Sequence, residues 1–324
     1  MLLHLLALVA LSGSPNATDV GPLVRSLWLI QRHGAAEALD PKNDQRVKAV
    51  LSKALAKDGL ISLKELGGLM QPDTFEKLAG PDGSLDQGET LKALEAATPE
   101  SRAKLAPRLT AHADYLSTTF DQIDEKHREA GTELARWIAA NYEKGKPLHV
   151  TVVCTGNSRR SILGSSMGNL AAAYYGMPEI RFHSGGTAPT AFNPRTVASL
   201  KAIGFEVEPT GKEAERGEPK TENPVYRVSW GEGFETLEFS KHYGDKSNPQ
   251  TGFAALMVCS EADEGCPFVK GASLRLSMPY LDPKMFDDGA YEAAKYAERR
   301  DDIGRLMLSV MVQAQGELAS KEGR

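Results

Sequence analysis

The sequence predicts an α/β fold: a three-layer α/β/α arrangement around a four-stranded, mostly parallel sheet, preceded by an α-helical N-terminal region. Three observations carry this. Four short runs, at 150–153, 180–183, 254–258 and 274–278, read as strands, and those at 150–153 and 254–258 are near-continuous apolar stretches, as strands covered on both faces are. Helical patterns separate these runs, which is how parallel strands are connected. The 324 residues exceed what one small domain needs, so a second region ahead of the sheet is expected. A 41% hydrophobic and 25% charged composition is that of an ordinary globular chain. A net charge of −5 and the lack of a basic run exclude a nucleic-acid partner.

Taken in order, the chain opens on an apolar run from Met1 to Leu11, followed by small and turn-forming residues from Ser12 to Ala17. This is a signal-peptide pattern over 1–17 and predicts export to the periplasm. It is too short to span a bilayer, so no stable membrane anchor is expected. No Lys or Arg precedes the run, and a cytoplasmic chain with an apolar tail is the alternative. Residues 18–110 read as helices joined by polar turns, with Val47, Val50, Leu51 and Leu55 at helical spacing. Two segments within them look alike. Asp58-Gly59-Leu60-Ile61 leads to Glu65, and Asp82-Gly83-Ser84-Leu85 leads to Glu89, each the tail of an EF-hand loop. Calcium would need oxygen ligands at the first and third loop positions, which hold Ala54, Ala56, Leu78 and Gly80. A helix–loop–helix pair without calcium is the expectation. Arg32-His33-Gly34 resembles the start of a histidine-phosphatase motif, but no partner motif accompanies it, and His33 is read as an ordinary histidine.

From 111 to 324 the pattern is that of the sheet domain. A helix over 120–142 places Ala130, Leu134, Trp137, Ile138 and Tyr142 on one face and ends at Gly145-Lys146-Pro147. The first strand follows and stops at Cys154. An Ala-rich helix runs over 162–175, the second strand ends in Ser184-Gly185-Gly186, and Asn193-Pro194 opens a helix that stops at Gly204. Residues 206–250 form an insertion: an exposed loop over 207–223, then a hairpin-like stretch over 225–239 around Gly231 and Gly233. The third strand ends at Cys259 and the fourth just before Asp282-Pro283. The last helix covers 291–318, with Ile303, Leu306, Met307, Val310 and Met311 as its apolar stripe. Open parallel sheets bind ligands at the carboxyl ends of their strands. The Cys154 loop, Ser184, Cys259 and Asp282 all fall there.

The stretch Cys154-Thr155-Gly156-Asn157-Ser158-Arg159-Arg160-Ser161 carries the chemistry. Its C-x5-R-S spacing lies between a strand and a helix. A loop of that length can turn its backbone N–H groups toward one point beside the helix N-terminus, an oxyanion cradle. Arg160 can close the cradle with a bidentate fork. Cys154 then sits at its base, where the dipole and the guanidinium favour the nucleophilic thiolate. Asn157 would hold the loop, and Ser161 would bond the sulfur or cap the helix. Arg159 would add a second cation. Asp282 before Pro283 is either a turn former or, given Cys154, a general acid. The other two cysteines are Cys259 and Cys266, an odd total that gives no disulfide framework but leaves a nucleophile and one dithiol pair. With no histidine nearby they make a poor metal site, and none is expected.

The loop resembles the phosphate loop of low-molecular-weight protein tyrosine phosphatases, and more closely that of the thioredoxin-coupled arsenate reductases of the same fold. Cys259-Ser-Glu-Ala-Asp-Glu-Gly-Cys266-Pro267 resembles the redox segment of those reductases, and Asp282-Pro283 the D-P loop of both groups. The resemblance covers about 148–312 and leaves 18–110 aside. It implies arsenate reduction through a three-cysteine relay. Cys154 attacks arsenate held by Thr155 to Ser161, and Asp282 protonates the leaving oxygen. Cys259 attacks Cys154, Cys266 attacks Cys259, and thioredoxin or a similar thiol reductant reduces the last disulfide. The alternative is a phosphatase acting on phosphotyrosine or a small phosphoester, which needs only Cys154, Arg160 and Asp282. A redox-sensing or anion-binding protein without turnover is a third reading, and the intact C-x5-R-S and D-P pair speaks against it. No tightly bound cofactor is expected. Ser165 stands where those reductases carry an acidic residue linked to a potassium site, so potassium is not expected either. An oxidising compartment would trap Cys259–Cys266 as a disulfide, which sits awkwardly with export.

Overall fold

The structure is a computed structural model that describes residues 99–322 apart from 118, 218–219 and 267, together with 61–62, 76, 79 and 81–85. The signal-like segment, His33 and positions 54, 56, 78 and 80 lie outside the described residues. The two look-alike loops meet in a short antiparallel pairing: β1 (Ile61–Ser62) lies against β2 (Ser84–Leu85), with Ile61 opposite Leu85. These two apolar residues hold the same place in their D-G-x-apolar segments. Gly83 enters β2 with φ +69°, a left-handed conformation open to a residue without Cβ, and Asp82 Oδ1 accepts from Ser84 N at 3.1 Å.

The larger of two compact units comprises Pro99–Leu116 and Ile123–Ala314. Three helices lead into it: α1 (Glu100–Ala103), α2 (Pro107–Ser117) and α3 (Glu125–Asn141). Asp124 caps α3 by accepting from Lys126 N at 3.0 Å. Then come β3 (Leu148–Cys154), α4 (Arg160–Tyr174), β4 (Ile180–Gly186) and α5 (Pro194–Ile203). Three strands follow, β5 (Glu206–Glu213), β6 (Pro224–Gly231) and β7 (Phe234–Glu238). The chain closes with β8 (Phe253–Met257), α6 (Ser260–Gly265), β9 (Ala272–Ser277) and α7 (Glu292–Glu322).

The fold is α/β, built on a four-stranded sheet in the order β4-β3-β8-β9 with every pair parallel. The apolar runs form its centre: Val150, Val152, Val153, Ala254, Ala255, Leu256 and Met257 are all buried. Burying each large aliphatic side chain contributes about 1.5–3 kcal/mol. Helix α4 is buried along its whole length. Two glycines one turn apart let it lie close to the sheet. A Cβ on Gly164 would stand 2.7 Å from Val152, and one on Gly168 2.4 Å from the Phe182 ring. From α4, Asn169 also reaches the backbone of β4, donating to Phe182 O at 2.9 Å and accepting from Phe182 N at 3.0 Å. Glycines serve α7 in the same way, where a Cβ on Gly304 would stand 2.3 Å from Met167.

The insertion departs from its expected form. Residues 206–213, expected as the start of an exposed loop, are strand β5, and β5, β6 and β7 form a separate antiparallel sheet in that order. Only Val207 of β5 is buried, so its other side chains read as loop although its backbone pairs with β6. Val228, Trp230 and Phe234 supply the apolar contacts of this sheet.

Across β3 and β4, His149 Nδ1 and His183 Nε2 stand 3.0 Å apart. Burial, then the charges of His149, Lys241 and Arg181, pushes the His183 pKa down to about 3. Burial and Arg181 lower that of His149 as well. The folded protein therefore keeps the pair neutral, whereas the unfolded chain takes up protons below about pH 6.5. A depressed folded pKa means stability that is fully present above pH 6.5 and is lost as pH falls toward 3, by at most ~1.4 kcal/mol per pH unit. Denaturant midpoints at pH 7, 6, 5 and 4 will fall steadily in the wild type and less steeply in His183→Gln. Equal slopes would assign the acid sensitivity to other groups.

Candidate active site

The carboxyl edge of the parallel sheet brings the sequence motifs together. Cys154 ends β3 opposite Gly186 of β4, residues 155–159 form the loop, and Arg160 begins α4. The loop is held by its carbonyls. Cys154 O accepts from Thr187 N at 3.1 Å and Thr155 O from Ala188 N at 2.9 Å. Gly156 O accepts from Thr190 N at 3.0 Å and from Ser240 Oγ at 2.9 Å. Ser158 O accepts from Asn193 N at 3.2 Å and Thr196 Oγ1 at 3.1 Å. Among the described residues, no protein group accepts from the N–H groups of Gly156 to Ser161. The spacing predicts an anion nest here, and it is the loop's carbonyls, not its N–H groups, that make the bonds to neighbouring segments.

Asn157 closes this loop in a left-handed conformation, φ 41°, which asparagine tolerates better than most residues. Both ends of its side-chain amide are engaged. Oδ1 accepts from Lys241 N at 2.8 Å, and Nδ2 donates to Ser161 Oγ at 2.9 Å. Ser161 Oγ lies 3.1 Å from the buried Cys154 Sγ. Because that hydroxyl already accepts from Asn157, its own hydrogen is available to the sulfur.

Arg160 and Asp282 meet. The guanidinium donates to Tyr280 O at 2.8 Å and to Asp282 Oδ2 at 2.7 Å, while Asp282 Oδ1 accepts from Lys284 N at 3.0 Å at the head of the 3-10 turn Pro283–Phe286. The carboxylate is thereby aimed at the loop. Arg159 does not join the cradle as a second cation. Its guanidinium is engaged elsewhere, donating to Tyr296 OH at 2.6 Å and to Asp287 Oδ2 at 3.0 Å.

Val258 N extends the β3–β8 ladder by donating to Val153 O at 2.9 Å, which sets Cys259 beside the Cys154 loop. Cys259 Sγ stands 3.4 Å from Thr155 Oγ1. Burial raises its thiol pKa, and nearby Cys154 adds to the rise. The Thr155 hydroxyl, the Ala262 backbone and Arg160 oppose it. Cys266 sits at the far end of α6, with its Sγ 3.3 Å from Phe268 O and 3.6 Å from Tyr243 OH. All three thiols are free. Helix α6 is fastened by Arg275, which donates to Asp263 O at 2.8 Å, and by Ser277, which donates to the Asp263 carboxylate.

Several residues of the site carry no signal in the sequence: Ser240, Lys241, Glu238 and Tyr243, all from the end of the insertion. Ser165 donates to Glu238 Oε1 at 3.4 Å, and Glu238, only 2% exposed, also accepts from Ser184 Oγ at 2.7 Å and pairs with Lys241 Nζ at 3.2 Å. Among the described residues, a buried ammonium thus stands beside the carboxylate that Ser165 bonds.

No family model matches this chain, and no curated protein matches it. Among solved structures, the thioredoxin-dependent arsenate reductase of Corynebacterium glutamicum is similar at 17% identity and a TM-score of 0.30, over 65% of this chain and 82% of that one.

Proposed function

We infer that this chain is an arsenate reductase acting through a disulfide relay. The observation that carries the reading is the placement of two free thiols at the ends of adjacent parallel strands, Cys154 and Cys259, bridged by Thr155, with the third free thiol one short helix further on. Cys154 attacks arsenic(V) in the nest, and Asp282 protonates the oxygen that leaves as water. The Cys259 thiolate then attacks Cys154 Sγ. A Cys154–Cys259 bond forms, the As–S electron pair stays on arsenic, and arsenite departs. Cys266 attacks Cys259 Sγ and releases Cys154 as a thiolate. An external dithiol such as thioredoxin reduces the resulting Cys259–Cys266 bond.

The last exchange requires motion. The six residues of α6 separate Cys259 from Cys266, a rise of roughly 10 Å at 1.5 Å per residue, beyond the ~7 Å Cα limit for a disulfide. Helix α6 must unwind, and a helix this short has little stability of its own.

The test is NADPH oxidation with thioredoxin, thioredoxin reductase and arsenate, beside hydrolysis of an aryl phosphate. Wild type will sustain oxidation, Cys259→Ser will support none, and Cys266→Ser will release one equivalent of arsenite and then stop without sustained oxidation. All three will hydrolyse the aryl phosphate. With its raised pKa, Cys259 is a thiol at pH 7, so arsenate turnover will climb with pH more steeply than hydrolysis does. If arsenate drives no oxidation while all three proteins hydrolyse equally, the protein is a phosphatase. The Arg160–Asp282 pair favours that second reading by itself, since it serves phosphate transfer without further cysteines.

A further inference from the structure

Two successive arginines of the nucleophile loop hold the two ends of one short turn. The 3-10 turn Pro283–Phe286 has Asp282 as its N-cap and Asp287 as its C-cap. Arg160 grips Asp282 at 2.7 Å, and Arg159 grips Asp287 at 3.0 Å. We propose that Arg159, Asp287 and Tyr296 form a clamp that positions Asp282 against the Cys154 loop. None of the three reaches the reacting atoms; they are positioning residues. The proposal rests on Asp282 being the general acid of the reading above.

Three features support it. First, few of the turn's own side chains are buried. Lys284 is exposed, Met285 is 70% exposed, and only Pro283 of its four residues is buried. An acid carried on such a segment wanders unless something fixes it.

Second, the clamp is built as a closed triangle rather than a lone surface pair. Tyr296, 1% exposed on α7, accepts from Arg159 Nε at 2.6 Å and donates to Asp287 Oδ1 at 2.8 Å. Both oxygens of Asp287 are thus engaged, which fixes the carboxylate in rotation as well as position. The Arg159 and Asp287 side chains are only 15% and 17% exposed, so solvent screens them less than it does a surface pair.

Third, the clamp extends to the other support of the loop. Arg195, at the start of α5, lies 3.7 Å from Asp287 Oδ1 and bonds Asp288 and Glu292 at 2.6 Å each. Asn193, two residues earlier, caps α5 and donates its N–H to Ser158 O. The nest and the acid are therefore fastened to common elements. A general acid works only within hydrogen-bond reach of the leaving oxygen, and a shift of about 1 Å caused from outside the chemistry can cost roughly a hundredfold.

The test compares two aryl phosphates on wild type, Asp287→Asn, Tyr296→Phe and, as the reference for a lost acid, Asp282→Asn. Phenyl phosphate has a poor leaving group that needs protonation; 2,4-dinitrophenyl phosphate does not. Asp287→Asn will lose about ten- to a hundredfold in kcat on phenyl phosphate and less than about threefold on the dinitrophenyl ester, the pattern of Asp282→Asn in weaker form. Tyr296→Phe will show a smaller loss with the same selectivity, and Asp287→Glu will recover part of it. Equal losses on both esters, or none, would overturn the proposal. Hydrogen exchange of the amides from Lys284 to Gly289, compared between wild type and Arg159→Met, reads the clamp without catalysis. Faster exchange confined to that segment supports the clamp, and unchanged exchange overturns it. If Asp282→Asn itself shows no leaving-group dependence, the reading of Asp282 as the acid fails, and exchange still decides whether the clamp exists.

Discussion

Arg160→Lys will lose about a thousandfold or more in kcat, on arsenate and on aryl phosphates alike, although it keeps the positive charge. The guanidinium makes two bonds at once, to Tyr280 O and to Asp282 Oδ2, and still has N–H groups left for an oxyanion. An ammonium has three hydrogens on one atom and no planar fork, so it cannot hold the turn and clasp the anion in the same geometry. Losing one oxyanion donor costs about a hundred- to a thousandfold in related chemistry, and a misplaced acid adds to that. The side chain is only 8% exposed, so the substitution also leaves a buried acceptor short of a partner. Steady-state kinetics on both substrate types will settle the point. A variant within tenfold of wild type would mean that Arg160 is a structural strut and that the nest binds its anion through backbone alone.

Gly186→Ala will cost about a hundredfold in kcat with little change in secondary structure. Gly186 ends β4 directly behind the loop, and a Cβ there would stand 2.5 Å from Thr155 O and 2.8 Å from Asn157 N. Both neighbours are backbone, so no side chain can swing aside. The loop itself must move. Its anchors resist: Gly186 N accepts no shift freely because it donates to Lys241 O at 2.9 Å, and Asn157 is tied to Lys241 N at 2.8 Å. Overpacking of this kind costs about 1–3 kcal/mol of stability, and the displaced nest loses its alignment. Circular dichroism, a thermal midpoint and kcat on one preparation will separate the two effects. Full activity with the methyl present would show that the loop is softer than its hydrogen bonds imply.

The sheet and the Cys154 loop were legible because their signals are local. Val150, Val152 and Val153 form a buried run beside one another in the chain, and Cys154 to Ser161 is a single stretch. The helix from Asn193-Pro194 to Gly204 was legible for the same reason, its cap and its stop both being adjacent residues. Strand β5 was not, since it is held mainly by its backbone ladder and all of its eight residues but Val207 are exposed. The supports of the site were hidden by distance. Ser240 and Lys241 lie 84 residues beyond the loop groups they bond, and Asp287 and Tyr296 lie 128 and 137 residues beyond Arg159. A serine, a lysine or an aspartate in a polar stretch reads as surface until its partner is known. The same limit explains Arg159, which by position looked like an anion ligand and in the fold is bound to a carboxylate.

The bonds from Ser240 and Lys241 to Gly156 and Asn157 also bear on the birth of the protein. A chain leaving the ribosome at about 5–20 residues per second needs roughly 4–17 s to add the 84 residues that complete the loop. Until then the nascent chain carries Cys154 in a half-supported turn. The loop is fully tied only once Lys241 has been made, with β3 and β4 already synthesised and β8 and β9 still to come.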